Sequence, residues 1–153
     1  MPLLGLFEND VLITAIIAWS LAQMVKPPLY YFLNHKWSWA PLFSPGGMPS
    51  SHSALMVSAT VAIGLHDGFH TPIFALACAA TVVVLYDAAG VRRQAGIQAQ
   101  KINVVINELF AGHPISEKQL REVLGHTPLE VIGGVVWGII VSVAYWLWVV
   151  NVR

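Results

Sequence analysis

The sequence predicts an all-α integral membrane protein, a helical bundle of about four short transmembrane helices plus an interfacial amphipathic helix. Hydrophobic residues fill 56% of the 153 positions and charged residues only 10%, whereas a soluble domain carries about 25% charged residues. The apolar residues also fall into runs near membrane-crossing length, parted by stretches rich in Pro, Gly, Trp and charge. At this length the chain, 1–153, makes a single membrane domain.

The first run, Val11–Val25, is apolar apart from Thr14, Ser20 and Gln23, and continues through Lys26-Pro27-Pro28 to Phe32. A full span needs about 20 residues, so this helix either kinks at the prolines or stops short there. No Lys or Arg precedes it, so it reads as a retained span rather than a cleaved signal peptide. Asn34–Pro49, with Trp37, Trp39, Pro45, Gly46 and Gly47, reads as an interfacial loop. Ser50 or Ser51 caps a second, marginally long helix that runs to about Leu65 and ends at His66-Asp67-Gly68. A third span follows from Thr71-Pro72 to Tyr86, with Pro72 suited to a first helical turn.

Val91–Phe110 mixes Val91, Ile97, Val104, Val105 and Leu109 with Arg92, Arg93, Gln94, Lys101 and Asn103. That spacing fits a helix lying in the interface or continuing out of the membrane. Ser116-Glu117-Lys118-Gln119 has the pattern of a capping box opening a short polar helix that Gly125 closes. Leu129–Val150 is the last span. In it Gly134 and Gly138 form a small-xxx-small pair, which marks a close helix contact either in a homodimer or within the monomer.

The connections differ in charge. Lys26 and Lys36 lie in the first and Arg92, Arg93, Lys101, Lys118 and Arg121 in the third, while the second has no Lys or Arg. The positive-inside rule then places connections one and three in the cytoplasm and both termini outside. Eight basic residues balance eight acidic ones, and no basic patch meets exposed aromatics, so nucleic acid is not an expected partner. The single cysteine, Cys78, excludes an intrachain disulfide.

The same two connections bring chemistry-capable residues to one face. Pro49-Ser50-Ser51-His52 follows two glycines and opens a helix, where free backbone N–H groups and the helix dipole favour an anion. His52 can protonate a phosphate-ester oxygen there, or the segment is an ordinary cap. His126 and Glu130 stand four apart at the entrance of the last helix. The carboxylate can hold an imidazole N–H and leave the other nitrogen as base or nucleophile. Alternatively, Glu130 only caps the helix that Pro128 starts. Lys26, Arg92 and Arg93 add cations of the kind a transferring phosphoryl group requires, or one that serves anionic headgroups generally. His52, Asp87 and His126 form too generic a set to read as a metal site, so neither metal nor cofactor is expected.

Together these segments resemble the type-2 phosphatidic acid phosphatase superfamily, which also contains the vanadium haloperoxidases. Its motifs are a lysine followed by an Arg-Pro, a Pro-Ser-Gly-His, and an Arg-containing stretch leading to His-x-x-x-Asp. Pro49-Ser50-Ser51-His52 is similar to the second, with Ser51 in place of glycine, and the segment from His126 to Glu130 to the third, with Glu130 in place of aspartate. Gly-Gly-Met-Pro-Ser-Ser-His-Ser-Ala and Gly-Val-Arg-Arg-Gln-Ala-Gly resemble the short divergent branch of bacteria and plastids.

The resemblance implies His126 as a nucleophile forming a phosphohistidine, Glu130 orienting it and His52 protonating the leaving alcohol. Lys26 stands for the first motif's lysine, though no Arg-Pro follows. Arg121 precedes His126 by five positions where the family uses six, so Arg92 or Arg93 can serve instead. Lys26, Ser51, Arg92, Arg93 and Arg121 would then bind phosphate, and Asp87 has no family counterpart. The implied activity is a metal-free membrane phosphatase or phosphotransferase acting on a lipid phosphate or prenyl-type (di)phosphate. It would work in a bacterial inner or plastid-type membrane, with its site facing the cytoplasm. The alternatives are a catalytically silent phospholipid-binding or scaffolding protein and a metal-dependent lipid phosphotransferase using Asp87.

Overall fold

The computed structural model describes residues 4–44, 46–109 and 127–152, and every described element is helical. A short 3₁₀ turn, Leu4–Glu8, leads into α1, Asp10–Asn34, whose N-cap Asn9 accepts a hydrogen bond from Leu12 N–H at 2.9 Å. Of the two expectations at Pro27-Pro28, the stop is excluded: α1 continues through both prolines to a left-handed cap at His35. Neighbouring elements in a membrane bundle tolerate prolines that would end a solitary helix. The following loop carries a single helical turn, α2, Ala40–Phe43. Tyr31, Trp37 and Trp39 stack edge-on or tilted there and are exposed, as an interfacial belt requires.

Helix α3, Ser51–Asp67, starts at Ser50 and ends at Gly68. Helix α4, Pro72–Ala89, starts at Thr71, whose hydroxyl accepts from Phe74 N–H at 3.3 Å, with Pro72 in the first turn. It passes through Gly90 into α5, Val91–Leu109, and α5 packs only on α4 among the described elements. Helix α6, Pro128–Val152, closes the described chain. The capping box expected at 116–119 and its helix lie outside the described residues.

Three helices, α1, α4 and α6, are long and apolar enough to cross a membrane. The fourth expected span, α3, has 17 residues, about 25 Å at the α-helical rise. It packs against α1, α4 and α6 and is the most enclosed element. Small side chains bring the helices together, including Ala18, Ala22, Ala54 and Ala62. Hydroxyls then link them. Thr60 and Thr81 share a 2.7 Å hydrogen bond between α3 and α4, and Ser142 Oγ donates to Ser58 O at 3.0 Å between α6 and α3.

At the Gly134–Gly138 face the second of the two expectations holds, because α3 of the same chain fills it. A Cβ on Gly138 would meet Ala54 O at 2.8 Å and Ser58 N at 3.1 Å, and one on Gly134 would strike Ser50 O. That groove is therefore an intramolecular contact and is closed to a second copy.

Candidate functional site

Two registers place the site. Ser142 bonds Ser58, and Gly134 and Gly138 abut Ser50 and Ala54 at the same offset of 84 residues, so α3 and α6 run parallel with adjacent N-termini. Helix α1 runs antiparallel to α6: Tyr145 OH donates to Asp10 Oδ1 at 3.0 Å at one end, and Lys26 lies beside Ser44 and Gly47 at the other. Both helix N-termini, each with a partial positive charge of about one half, thus share one end of the bundle with the Lys26 ammonium.

The start of α3 is latched to α6. Ser50 N–H donates to Glu130 O at 3.0 Å, while Ser50 Oγ accepts from Ser53 N–H at 3.3 Å and from Ser53 Oγ at 3.0 Å. These bonds fix the first turn of α3 and leave Ser51 facing inward. Ser51 is 1% exposed and its Oγ has no hydrogen-bond partner among the described residues. A buried hydroxyl in that state is a prepared donor or acceptor for a ligand oxygen.

Lys26 is 2% exposed and is the largest fully buried side chain among the described residues. Its Nζ donates to Ser44 O at 3.2 Å, one of the three hydrogen bonds an ammonium can make. Glu130 lies close enough to act on its charge. Glu130 also closes a capping box: Oε2 accepts from Thr127 N–H at 3.1 Å and Glu130 N–H donates to Thr127 Oγ1 at 3.3 Å. The capping arrangement weighed from the sequence is therefore formed.

His52 sits half-buried in the first turn of α3. The Thr60–Thr81 pair sets an antiparallel α3–α4 register that brings half-buried Asp87 level with the same turns. Arg92 and Arg93 belong to the first turn of α5, but their side chains lie outside the described structure. His126 and Arg121 lie outside the described residues. Among the described residues, no three His, Cys, Asp or Glu side chains gather as a metal site. The structure thus brings Lys26, Ser51, His52 and Glu130 to one end of the bundle, with Asp87 at the same depth.

Two further polar groups lie within apolar runs. Gln23 Oε1 and Trp137 Nε1 are both buried without a hydrogen-bond partner among the described residues. Gln23 precedes Lys26 by three residues and so shares its helix face, a signal available in the sequence. Trp137 carried no such signal, because its surroundings depend on which helices pack beside α6.

A family model described as the divergent PAP2 family matches residues 7–141. The chain belongs to that family. The matched stretch contains every candidate site residue from Lys26 to Glu130. This divergent PAP2 protein is also 35% identical over 148 residues to the uncharacterized membrane protein YuiD of Bacillus subtilis (strain 168), covering 90% of this chain and 94% of that protein. No solved structure matches. The relative's description agrees with the three apolar helices, and the protein is an integral membrane protein.

Proposed function

We propose that the protein is a membrane phosphatase or phosphotransferase acting on a lipid phosphate or prenyl-type (di)phosphate through a phosphohistidine. The observation that carries this reading is the convergence of buried Lys26, two helix N-termini and the Ser51 hydroxyl, which has no partner among the described residues. An anion is what such a group of donors stabilises, and a developing phosphoryl charge more than a resting one. His126 immediately precedes Thr127 in the sequence and serves as nucleophile. Its nitrogen attacks phosphorus, the bond from phosphorus to the lipid oxygen breaks, and His52 delivers a proton to that oxygen. Water then attacks the phosphohistidine, His52 takes the proton back, and inorganic phosphate leaves with His126 restored. Arg92, Arg93 and Arg121 supply further phosphate contacts in this scheme, and Glu130 holds the helix entrance while orienting His126. In the membrane α3 makes a fourth crossing, the site faces the cytoplasm, and a homodimer would use a face other than Gly134–Gly138.

Phosphate release from a panel of lipid phosphates by protein in proteoliposomes, with and without chelator, tests this. Release should occur, survive chelation and vanish in His126→Ala, while His52→Ala should recover in part with an activated leaving group. Turnover by His126→Ala at the wild-type rate would remove the nucleophile, and loss on chelation would favour a metal-dependent reaction at Asp87. A second reading, lipid binding without turnover, is favoured by the engagement of Glu130 in its capping box. Under it the panel would be bound but not hydrolysed.

A further inference from the structure

Helix α5 is inverted relative to an amphipathic helix in water. Helical spacing gathers Ile102, Val105 and Ile106 on one face and sets Gly96 and Asn103 on another. In water the apolar face of such a helix turns to the core and its polar face outward. Here Ile102 and Val105 are 46% and 51% exposed, whereas Asn103 is 4% exposed and Gly96 is buried. Among the described elements α5 packs only on α4. A lone exposed aliphatic is ordinary, but a buried amide beside exposed aliphatics is informative. It fits a helix whose outer medium is apolar.

Depth and charge identify that medium. Tyr86, 76% exposed one turn before Gly90, ends the lipid-facing side of α4, as an aromatic in the headgroup layer does. The chain passes through Gly90 without a break, so α5 begins at the membrane surface, at the end of the bundle where the candidate site lies. Residues 91–109 hold Arg92, Arg93 and Lys101 against one acid, Glu108. Helical spacing sets Arg92 and Lys101 at the two edges of the Ile102 face. From such edges cationic side chains reach headgroups while their stems stay in the apolar layer. We propose that α5 docks along an anionic membrane surface, with Ile102 and Val105 at the acyl boundary and its cations among anionic headgroups. This docking stands whether or not the candidate site turns over a phosphate.

Nitroxide labels placed singly in the full chain, on a Cys78→Ala background in nanodiscs, test this. Contact with oxygen reports lipid, and contact with a soluble nickel chelate reports water. In phosphatidylcholine discs containing phosphatidylglycerol, labels at Ile102→Cys and Val105→Cys should meet oxygen and exclude the chelate. A label at Gln100→Cys, on the opposite side of the helix, should not. Raising the phosphatidylglycerol content should raise the docked fraction. Lys101→Gln, outside the residues assigned to phosphate, should lower the docked-to-undocked ratio about fivefold, the weight of one basic residue at an anionic surface. Chelate contact at Ile102 and Val105 would place α5 in water and overturn the proposal. Shielding from both reagents would mean that protein covers the face, a second copy if the labels broaden one another, and would overturn it too. Docking that is equal in pure phosphatidylcholine, or unmoved in Lys101→Gln, would overturn the anionic assignment.

Discussion

Helices α3 and α4 are neighbours of nearly equal length, 17 and 18 residues, yet they do opposite work. Along α4, Ile73, Leu76, Val82, Val83 and Tyr86 are exposed to the surroundings, and Thr81 and Ala88 are its buried positions. Along α3, Ser51, Ser53, Ser58 and Thr60 are buried with Ala54, Val57 and Ala62, and three other helices surround them. Hydropathy therefore ranks the two in the reverse order of their centrality. A helix that faces lipid must be apolar, because lipid offers its side chains no hydrogen bonds. A helix enclosed by protein can carry hydroxyls, because adjacent backbone carbonyls accept from them. The candidate chemistry sits on the enclosed helix and its partners.

The sharpest way to break this contrast is at the buried cation. Lys26→Met should lower kcat/KM for a lipid phosphate by about 10²–10³, as loss of a preorganised charge partner does, while the variant stays folded and inserted. A change below about threefold would place the phosphate elsewhere than beside α3. Next in size is the α3–α6 contact. Gly138→Leu should cost about 1–3 kcal/mol of stability in denaturing-detergent unfolding, from overpacking against Ala54 and Val57. Val83→Leu on the exposed face of α4 should stay within about 0.5 kcal/mol. Equal effects from the two would erase the distinction between an enclosed and a lipid-facing helix. Smallest is the hydroxyl link. Thr81→Val should cost about 0.6 kcal/mol, the average for such bonds in a bilayer, and a double-mutant cycle with Thr60→Val should recover most of it as coupling.

Helix boundaries set by local chemistry were legible in the sequence. Ser50, Thr71, Pro72 and Pro128 mark helix starts through their own hydroxyls or fixed backbone angle, and the structure begins helices at each. Features that depend on a neighbour were not. The apolar run through Pro27 and Pro28 leaves continuation and stop both open, and the elements that decide for continuation lie elsewhere in the chain. Gly134 and Gly138 announced a close contact without naming its partner, which proved to be α3. In the site, Lys26, Ser51, His52 and Glu130 could be singled out one by one. Their gathering at one end follows from the alternation of spans, whereas the residue-by-residue register of α3 against α6 is encoded by no local pattern. Gln23 shares a helix face with Lys26, which the sequence does show, whereas the Trp137 indole becomes informative only once its surroundings are known.

The run of α1 past its two prolines has a consequence for the field at Lys26. Had the helix stopped at Lys26, its terminal carbonyls would face the end of the bundle where α3 and α6 begin. Instead those carbonyls are carried on to Asn34, about 12 Å of helix beyond. Helix α4 does likewise, since Gly90 N–H donates to Tyr86 O, Gln94 N–H donates to Gly90 O, and the spiral passes into α5. Of the four long helices meeting here, the two that begin expose their amide ends and the two that arrive pass by without ending. Local potential is set by where helices stop rather than by which way they point, and among the long described helices that cross the bundle only starts remain at this end.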